Sequence, residues 1–227
     1  METELKLSFP DPETLYAVTG EPWFQDAVEI RSAKTEEYEN RYLDTKDRIL
    51  EKSRTSMRIR HVLGQDFIHT VKTTPTAIIN ESSSEEGFSG LTSKCEWNVS
   101  SDRSEFDVGL FLKAAKNGKD PYEILAAALV PVSGKKLETV CKTAFKRHTI
   151  TAGYHGSTVE ICLDTGSCIA SGRRSCPICE MEIELISGEV APVEELGLLI
   201  REHADCKPLA ISKYARCLML MRENENG

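Results

Sequence analysis

Residues 1–8 read METELKLS, and in them Glu2, Glu4 and Lys6 alternate with Thr3, Leu5 and Leu7. Alternate side chains of a β-strand point to opposite faces. The pattern therefore predicts a strand with Glu2, Glu4 and Lys6 on one face and the apolar residues on the other. Its two carboxylates would stand about 6.6 Å apart, two steps of about 3.3 Å. Taken alone, this is the solvated face of a half-buried strand. Later segments repeat the pattern, and the repetition changes its meaning.

Residues 56–63 and 66–73 flank Gly64-Gln65 and predict a hairpin. Arg58 and Arg60 share a face of its first strand, Thr70 and Lys72 a face of its second. Residues 94–100, KCEWNVS, put Lys94, Glu96 and Asn98 together. Residues 138–152 form a long strand rich in Thr, Val and Ile that carries Lys142, Lys146 and Arg147. In residues 157–164, Glu160, Cys162 and Asp164 oppose Val159, Ile161 and Leu163, and Thr165-Gly166 reads as a turn. In residues 178–185, ICEMEIEL, Glu180, Glu182 and Glu184 oppose Cys179, Met181, Ile183 and Leu185.

Helices are expected between these strands. Asp11 is a plausible cap with Pro12 at the first helical position, and that helix should stop by Gly20. Residues 47–52 suggest a helical turn, and residues 103–116 and 120–130 have helical spacing, with Asp120 as a cap before Pro121. Residues 192–204 are amphipathic, with Leu196, Leu199 and Ile200 towards a core, and Lys213 begins another apolar-periodic segment. Residues 80–93, rich in Ser, Glu and Gly, read as a mobile loop.

Length and charge bound the function. A chain of 227 residues with 40 % apolar residues supports a sizeable core, here expected to be a single domain spanning residues 1–227. A net charge of −8, from 28 basic and 36 acidic residues, argues against bulk nucleic-acid binding. No apolar run reaches transmembrane length, so no membrane partner is expected. The first residues enter a strand directly, without a signal-peptide pattern, so the eight cysteines are expected to be reduced thiols of a cytoplasmic protein. Nothing in the sequence sets an oligomeric state.

Many short strands with little helix between them indicate a mainly antiparallel sheet or barrel. Two arrangements fit the charged faces. The apolar faces could form a closed core with the charges in water. Alternatively, the sheet could close around a charged lumen, with helices covering its apolar outside. Spacing favours the second. Three carboxylates on one strand face repel unless something positive lies among them, and a hard divalent cation such as Mg²⁺ or Mn²⁺ would relieve that repulsion. Paired arginines suit a bidentate grip of phosphate oxygens, and lysines act as point charges. Together these features suit a small, highly charged phosphate chain that carries a metal ion.

The ordered motifs resemble the CYTH superfamily, the triphosphate tunnel metalloenzymes. Glu2-x-Glu4-x-Lys6 matches the signature ExExK strand. Tyr42-Leu43-Asp44-Thr45 is similar to YxDT, Met57-Arg58-Ile59-Arg60 to LRIR, and Thr70-Val71-Lys72 to TxK. Lys94-Cys95-Glu96 resembles an RxE strand with Lys in place of Arg. Glu160 to Asp164 with Gly166 resembles ExxxDxG, residues 177–185 the late acidic strand, and Ser212-Lys213 with Arg216 the terminal SK…R. The set spans nearly the whole chain and most resembles the bacterial inorganic triphosphatase branch.

This resemblance implies an α+β, mainly β fold: an eight-stranded antiparallel barrel, or tunnel, with a charged lumen and flanking helices. It implies metal-dependent hydrolysis of inorganic triphosphate to diphosphate and phosphate. Glu2, Glu4, Glu182 and Glu184 would hold metal, directly or through water. Lys6, Arg58, Arg60, Lys72, Lys94, Arg147, Lys213 and Arg216 would hold the triphosphate. Glu96, Glu160 and Asp164, with Lys6, would line the reacting centre or orient water, with no general base assigned.

Other readings stand beside this one. The same scaffold in relatives takes thiamine triphosphate or nucleoside triphosphates, or performs cyclase chemistry, and a non-catalytic polyphosphate-binding module is the reading of another class. Cys176-Pro177-Ile178-Cys179 could be half a zinc site or a redox pair, but no second pair follows, and Cys179 belongs on an apolar face. The five histidines show no ligand spacing. Lys135-Lys136 and Arg173-Arg174 read as solvated loop residues.

Overall fold

The computed structural model describes residues 1–62, 64–74, 90–170 and 174–225. The alternating stretches form β1 (Glu2–Ser8), β2 (Glu29–Asp44), β3 (Thr55–Val62), β4 (Phe67–Thr73), β5 (Leu91–Ser101), β6 (Glu138–Tyr154), β7 (Ser157–Ala170) and β8 (Ser175–Ser187). They run antiparallel in the order β5-β4-β3-β2-β6-β7-β8-β1, and β1 pairs back onto β5 to close an eight-stranded barrel. β1 is the closing strand. Its first half lies against β5, with Glu2 opposite Lys94. Its second half lies against β8, with Glu4 opposite Glu184 and Lys6 opposite Glu182. Beyond the end of β5, the short β9 (Lys207–Pro208) pairs with Leu7 and Ser8.

Helices cover the outside: α1 (Pro12–Ala17), α2 (Pro22–Ala27), α3 (Ile49–Lys52), α4 (Val108–Ala114), α5 (Tyr122–Leu129), α6 (Ala191–His203) and α7 (Lys213–Glu225). Asp11 caps α1, accepting the Thr14 N–H at 2.7 Å. Asp44 at the end of β2 does the same for α3, accepting from Leu50 and Glu51 at 3.0 Å. No described helix is long and apolar enough to cross a membrane.

The apolar core lies outside the barrel wall. Leu5, Leu7, Ile161, Leu163 and Ile183 pack against Leu15 of α1, Phe24 of α2 and Leu196 and Ile200 of α6. Met57, Ile59, Val71 and Trp97 pack against Phe111 of α4 and Leu125 and Leu129 of α5. Phe145, Cys141, Cys168 and Ile178 pack against Cys217 and Leu218 of α7. Full burial of each large aliphatic side chain stabilises by about 1.5–3 kcal/mol. The same strands turn their charged faces inward, so the barrel is closed around charge, the second of the two arrangements.

Several local expectations are corrected. Thr165-Gly166 is not a turn: β7 runs through it to Ala170. A Cβ on Gly166 would lie 2.2 Å from the Ala144 carbonyl oxygen and 2.5 Å from the Phe145 Cα, so glycine is required by the close approach of β6. The turn between β6 and β7 is His155-Gly156, both at positive φ. Asp120 does not cap α5; its carboxylate accepts the Glu96 N–H at 2.8 Å and the Met1 ammonium at 2.5 Å. Residues 91–93 are strand rather than loop, while residues 80–89 and Arg173 lie outside the described residues. Cys179 packs against the first apolar cluster, and all eight cysteines are thiols.

Candidate active site

Inward-facing side chains enclose a cavity of about 590 Å³ along the barrel axis. Of the site residues expected from sequence, all but Asp164 and Arg216 line it. Those two sit just behind the wall, Asp164 wholly buried.

One sector is a row of carboxylates. Glu4 on β1 faces Glu184 on β8, and Glu184 faces Glu160 on β7. Like charges directly opposed across strands are destabilising. Lys6 relieves Glu4 at 2.7 Å, but Glu184 has no ion-pair partner among the described residues. Burial, reinforced by Glu96, Glu4 and Glu160 and only partly offset by Lys72, pushes Glu184 up to about 7. Beside the row, Lys72 bridges Glu2 at 2.7 Å and Glu96 at 2.6 Å. Burial raises Glu2 despite Lys72. Glu96 is lowered because Lys72, the Glu2 hydrogen bond and Arg58 outweigh its burial.

A second sector is cationic and only weakly compensated. Arg58 donates to the Thr70 hydroxyl at 3.1 Å, and its nearest carboxylate, Glu96, is 4.0 Å away. Arg60 donates from Nε to Asn40 Oδ1 at 3.0 Å and stands 4.3 Å above the Tyr38 ring, with no carboxylate partner among the described residues. Burial, then Arg58 and Arg147, depress its pKa to about 9. Lys94 is also lowered, by burial and then by Lys6.

The third sector is a neutralised knot. The carboxylate oxygens of Asp164, Glu180 and Glu182 come within 4.8 Å of one another. Lys213 at the start of α7 reaches Asp164 at 2.6 Å and Glu182 at 2.9 Å and also pairs with Glu180. Arg147 grips Asp164 at 2.6 and 2.5 Å and also meets Glu182, while Arg216 meets Glu180. Glu182 is held far below the usual carboxylate range because Lys213, Lys6 and Arg147 outweigh its burial. The knot joins α7 to β6, β7 and β8. Lys213 and Arg147 are therefore committed to protein carboxylates in a way that Arg58 and Arg60 are not.

Tyr38 of β2 also lines the lumen, beside Tyr42 of the YxDT-like motif, and Asn40 between them is buried in the wall. Their spacing of two was legible, but neutral side chains give no charge signal. The donors along the carboxylate row are hard oxygens without a full set of protein cations, a set that could hold a hard metal cation.

Residues 1–218 match the CYTH domain model. The fold is similar to that of a Hippeastrum adenylyl cyclase candidate with a dominant triphosphatase activity (TM-score 0.57, 18 % identity, covering 95 % of this chain and 94 % of that one). It is also similar to a Vibrio parahaemolyticus protein named as an adenylate cyclase (TM-score 0.52, 13 % identity, 96 % and 97 % covered). A third is the PH1819 protein of Pyrococcus horikoshii (TM-score 0.51, 18 % identity, 98 % and 99 % covered). At these identities the likeness is one of fold. The domain match spans the closed barrel and the start of its last helix, and by it this chain belongs to the CYTH domain family.

Proposed function

We propose that the protein hydrolyses inorganic triphosphate to diphosphate and phosphate inside the barrel, using Mg²⁺ or Mn²⁺. One observation carries this reading: weakly compensated arginines and an under-neutralised carboxylate row share the wall of a single cavity. A phosphate chain satisfies the first and a divalent cation the second. The triphosphatase activity of the Hippeastrum protein supports the same reading.

In this reading Arg58 and Arg60 grip phosphoryl oxygens, and Lys6, Lys72 and Lys94 add point charges. Arg147 and Lys213 complete the cationic wall while holding Asp164 and Glu182, and Arg216 braces Glu180 from behind it. Glu4 and Glu184, directly opposed across β1 and β8, form the centre of the metal site, with Glu2 and Glu182 flanking them. When bound, the metal neutralises phosphoryl oxygens and acidifies water. Glu96 and Glu160 orient the attacking water for in-line displacement.

A substrate without an organic ring is favoured by the state of the lumen aromatics. Tyr38, Tyr42 and Tyr214 line the cavity but are buried. Arg60 covers Tyr38, and Tyr42 and Tyr214 stack on each other with centroids 5.0 Å apart. None offers an open face for a base or thiazole ring. The test is phosphate release from triphosphate with and without Mg²⁺ or Mn²⁺, with ATP and thiamine triphosphate in parallel. Metal-dependent release fastest from inorganic triphosphate is expected. Faster release from an organic triphosphate would move the substrate assignment. Tight triphosphate binding without release under either metal would make the protein a binding module.

A further inference from the structure

Asn40 is wholly buried in the barrel wall and joins two strands through its amide. It lies opposite Arg60 on β3 and Thr143 on β6. Its Nδ2 donates to the Thr143 hydroxyl at 2.9 Å, and its Oδ1 accepts from Arg60 Nε at 3.0 Å. A guanidinium only donates, so the amide must turn its oxygen to Arg60. Tyr38 supports the same guanidinium from beneath, and its own hydroxyl is tied to Glu36 at 2.7 Å. Arg60 is thus fixed on two sides by neutral groups.

The contrast lies within the same barrel. Arg147 is held by the carboxylates of Asp164 and Glu182, which spend its charge on the protein. An aspartate at position 40 would do the same to Arg60. It would be nearly isosteric, would satisfy the same donor, and would ease the burial of the guanidinium. The fold therefore has no structural need for a neutral residue at this position.

We infer that Asn40 is a positioning residue that orients Arg60 through an uncharged acceptor, leaving the full charge of the guanidinium for a phosphoryl oxygen. This rests on the phosphate-binding part of the proposed function, not on hydrolysis.

The test is a double-mutant cycle on triphosphate binding, measured calorimetrically with chelator present so that no turnover intervenes. Asn40→Asp should weaken binding at least tenfold with a melting temperature equal to or above that of the parent protein. The same substitution in an Arg60→Ala background should change binding less than twofold. Thr143→Val, which frees the amide to rotate, serves as the second variant. It should weaken binding severalfold, again only while Arg60 is present. Unchanged binding in both variants would overturn the inference, as would an equal loss in the Arg60→Ala background. Arg60→Ala binding as tightly as the parent, or a parent protein that does not bind triphosphate, would also overturn it. Binding that depends on Arg60 and Asn40 without hydrolysis would leave this inference standing and remove the hydrolase assignment.

Discussion

Arg58 and Lys72 are both lumen cations, yet their surroundings differ. Lys72 contacts Glu2 and Glu96 at 2.7 and 2.6 Å, whereas Arg58 has a hydroxyl at 3.1 Å and a carboxylate only at 4.0 Å. Removing one member of a buried ion pair leaves the other uncompensated, at a cost of about 3–5 kcal/mol. Removing a buried cation that crowds another cation relieves repulsion. Lys72→Ala should therefore lower the melting temperature clearly. Arg58→Ala should leave it unchanged or raise it while weakening triphosphate binding about ten- to a hundredfold, the range for charged hydrogen bonds. Thermal melts and calorimetric titration of both variants decide this, and an Arg58→Ala protein less stable than Lys72→Ala would contradict it. At this scale charge made the site legible: strand alternation grouped Glu2, Glu4 and Lys6, and likewise Arg58 and Glu184, on the charged faces of their strands, and carboxylate spacing favoured turning those faces inward. Asn40 and Tyr38 escaped notice because they are neutral. The knot of Asp164, Glu180 and Glu182 escaped because it depends on the register between strands and on where α7 docks, which no local pattern encodes.

Strands and helices were legible where periodicity was long, and misread where one dipeptide carried the signal. Thr165-Gly166 has the composition of a turn, but the reason for its glycine lies on the neighbouring strand, at Ala144 and Phe145. Gly197 on α6 provides a comparison. The three nearest atoms that a Cβ there would meet all belong to the Leu5 side chain, at 2.7, 2.9 and 3.4 Å, so a side-chain rather than a backbone shift relieves the contact. Replacing a helical glycine by alanine also gains about 1 kcal/mol of helix propensity. At Gly166 the obstacles are backbone atoms, and β6 and β7 must separate locally. Gly166→Ala should thus lose about 2 kcal/mol, or about 4–8 °C in melting temperature, and Gly197→Ala distinctly less. Circular-dichroism melts of the two variants measure the difference. Equal losses would mean that the contact between β6 and β7 is looser than described.

The molecule as a whole places its apolar core between barrel and helices and its charge inside. Binary pattern alone allowed the reverse, and carboxylate spacing favoured the arrangement that the fold adopts. What pattern could not supply was closure, because the pairing of β1 with β5 joins segments some ninety residues apart. The pairings of β8 with β1 and with β7 bring Glu4, Glu184 and Glu160 into direct opposition, so the barrel alone carries a repulsion that ligands would relieve. A ligand that binds only the folded state stabilises it by about 2.7 kcal/mol at a hundred times its dissociation constant. For a chain of this size that corresponds to a rise of about 5–10 °C. Mg²⁺ or Mn²⁺ should raise the melting temperature, triphosphate should raise it further, and a chelator should remove the metal increment. In a Glu4→Gln, Glu184→Gln double variant the metal increment should vanish, and in Glu184→Gln alone, which leaves the Glu4–Lys6 pair intact, the metal-free protein should melt above the parent because an opposed carboxylate without an ion-pair partner is gone. Sodium chloride at matched ionic strength separates binding from screening, since exposed charges are screened by any salt while a carboxylate site selects a hard divalent ion. If sodium raised the melting temperature as much as Mg²⁺, or the double variant kept the full Mg²⁺ increment, the carboxylate row would not be the metal site.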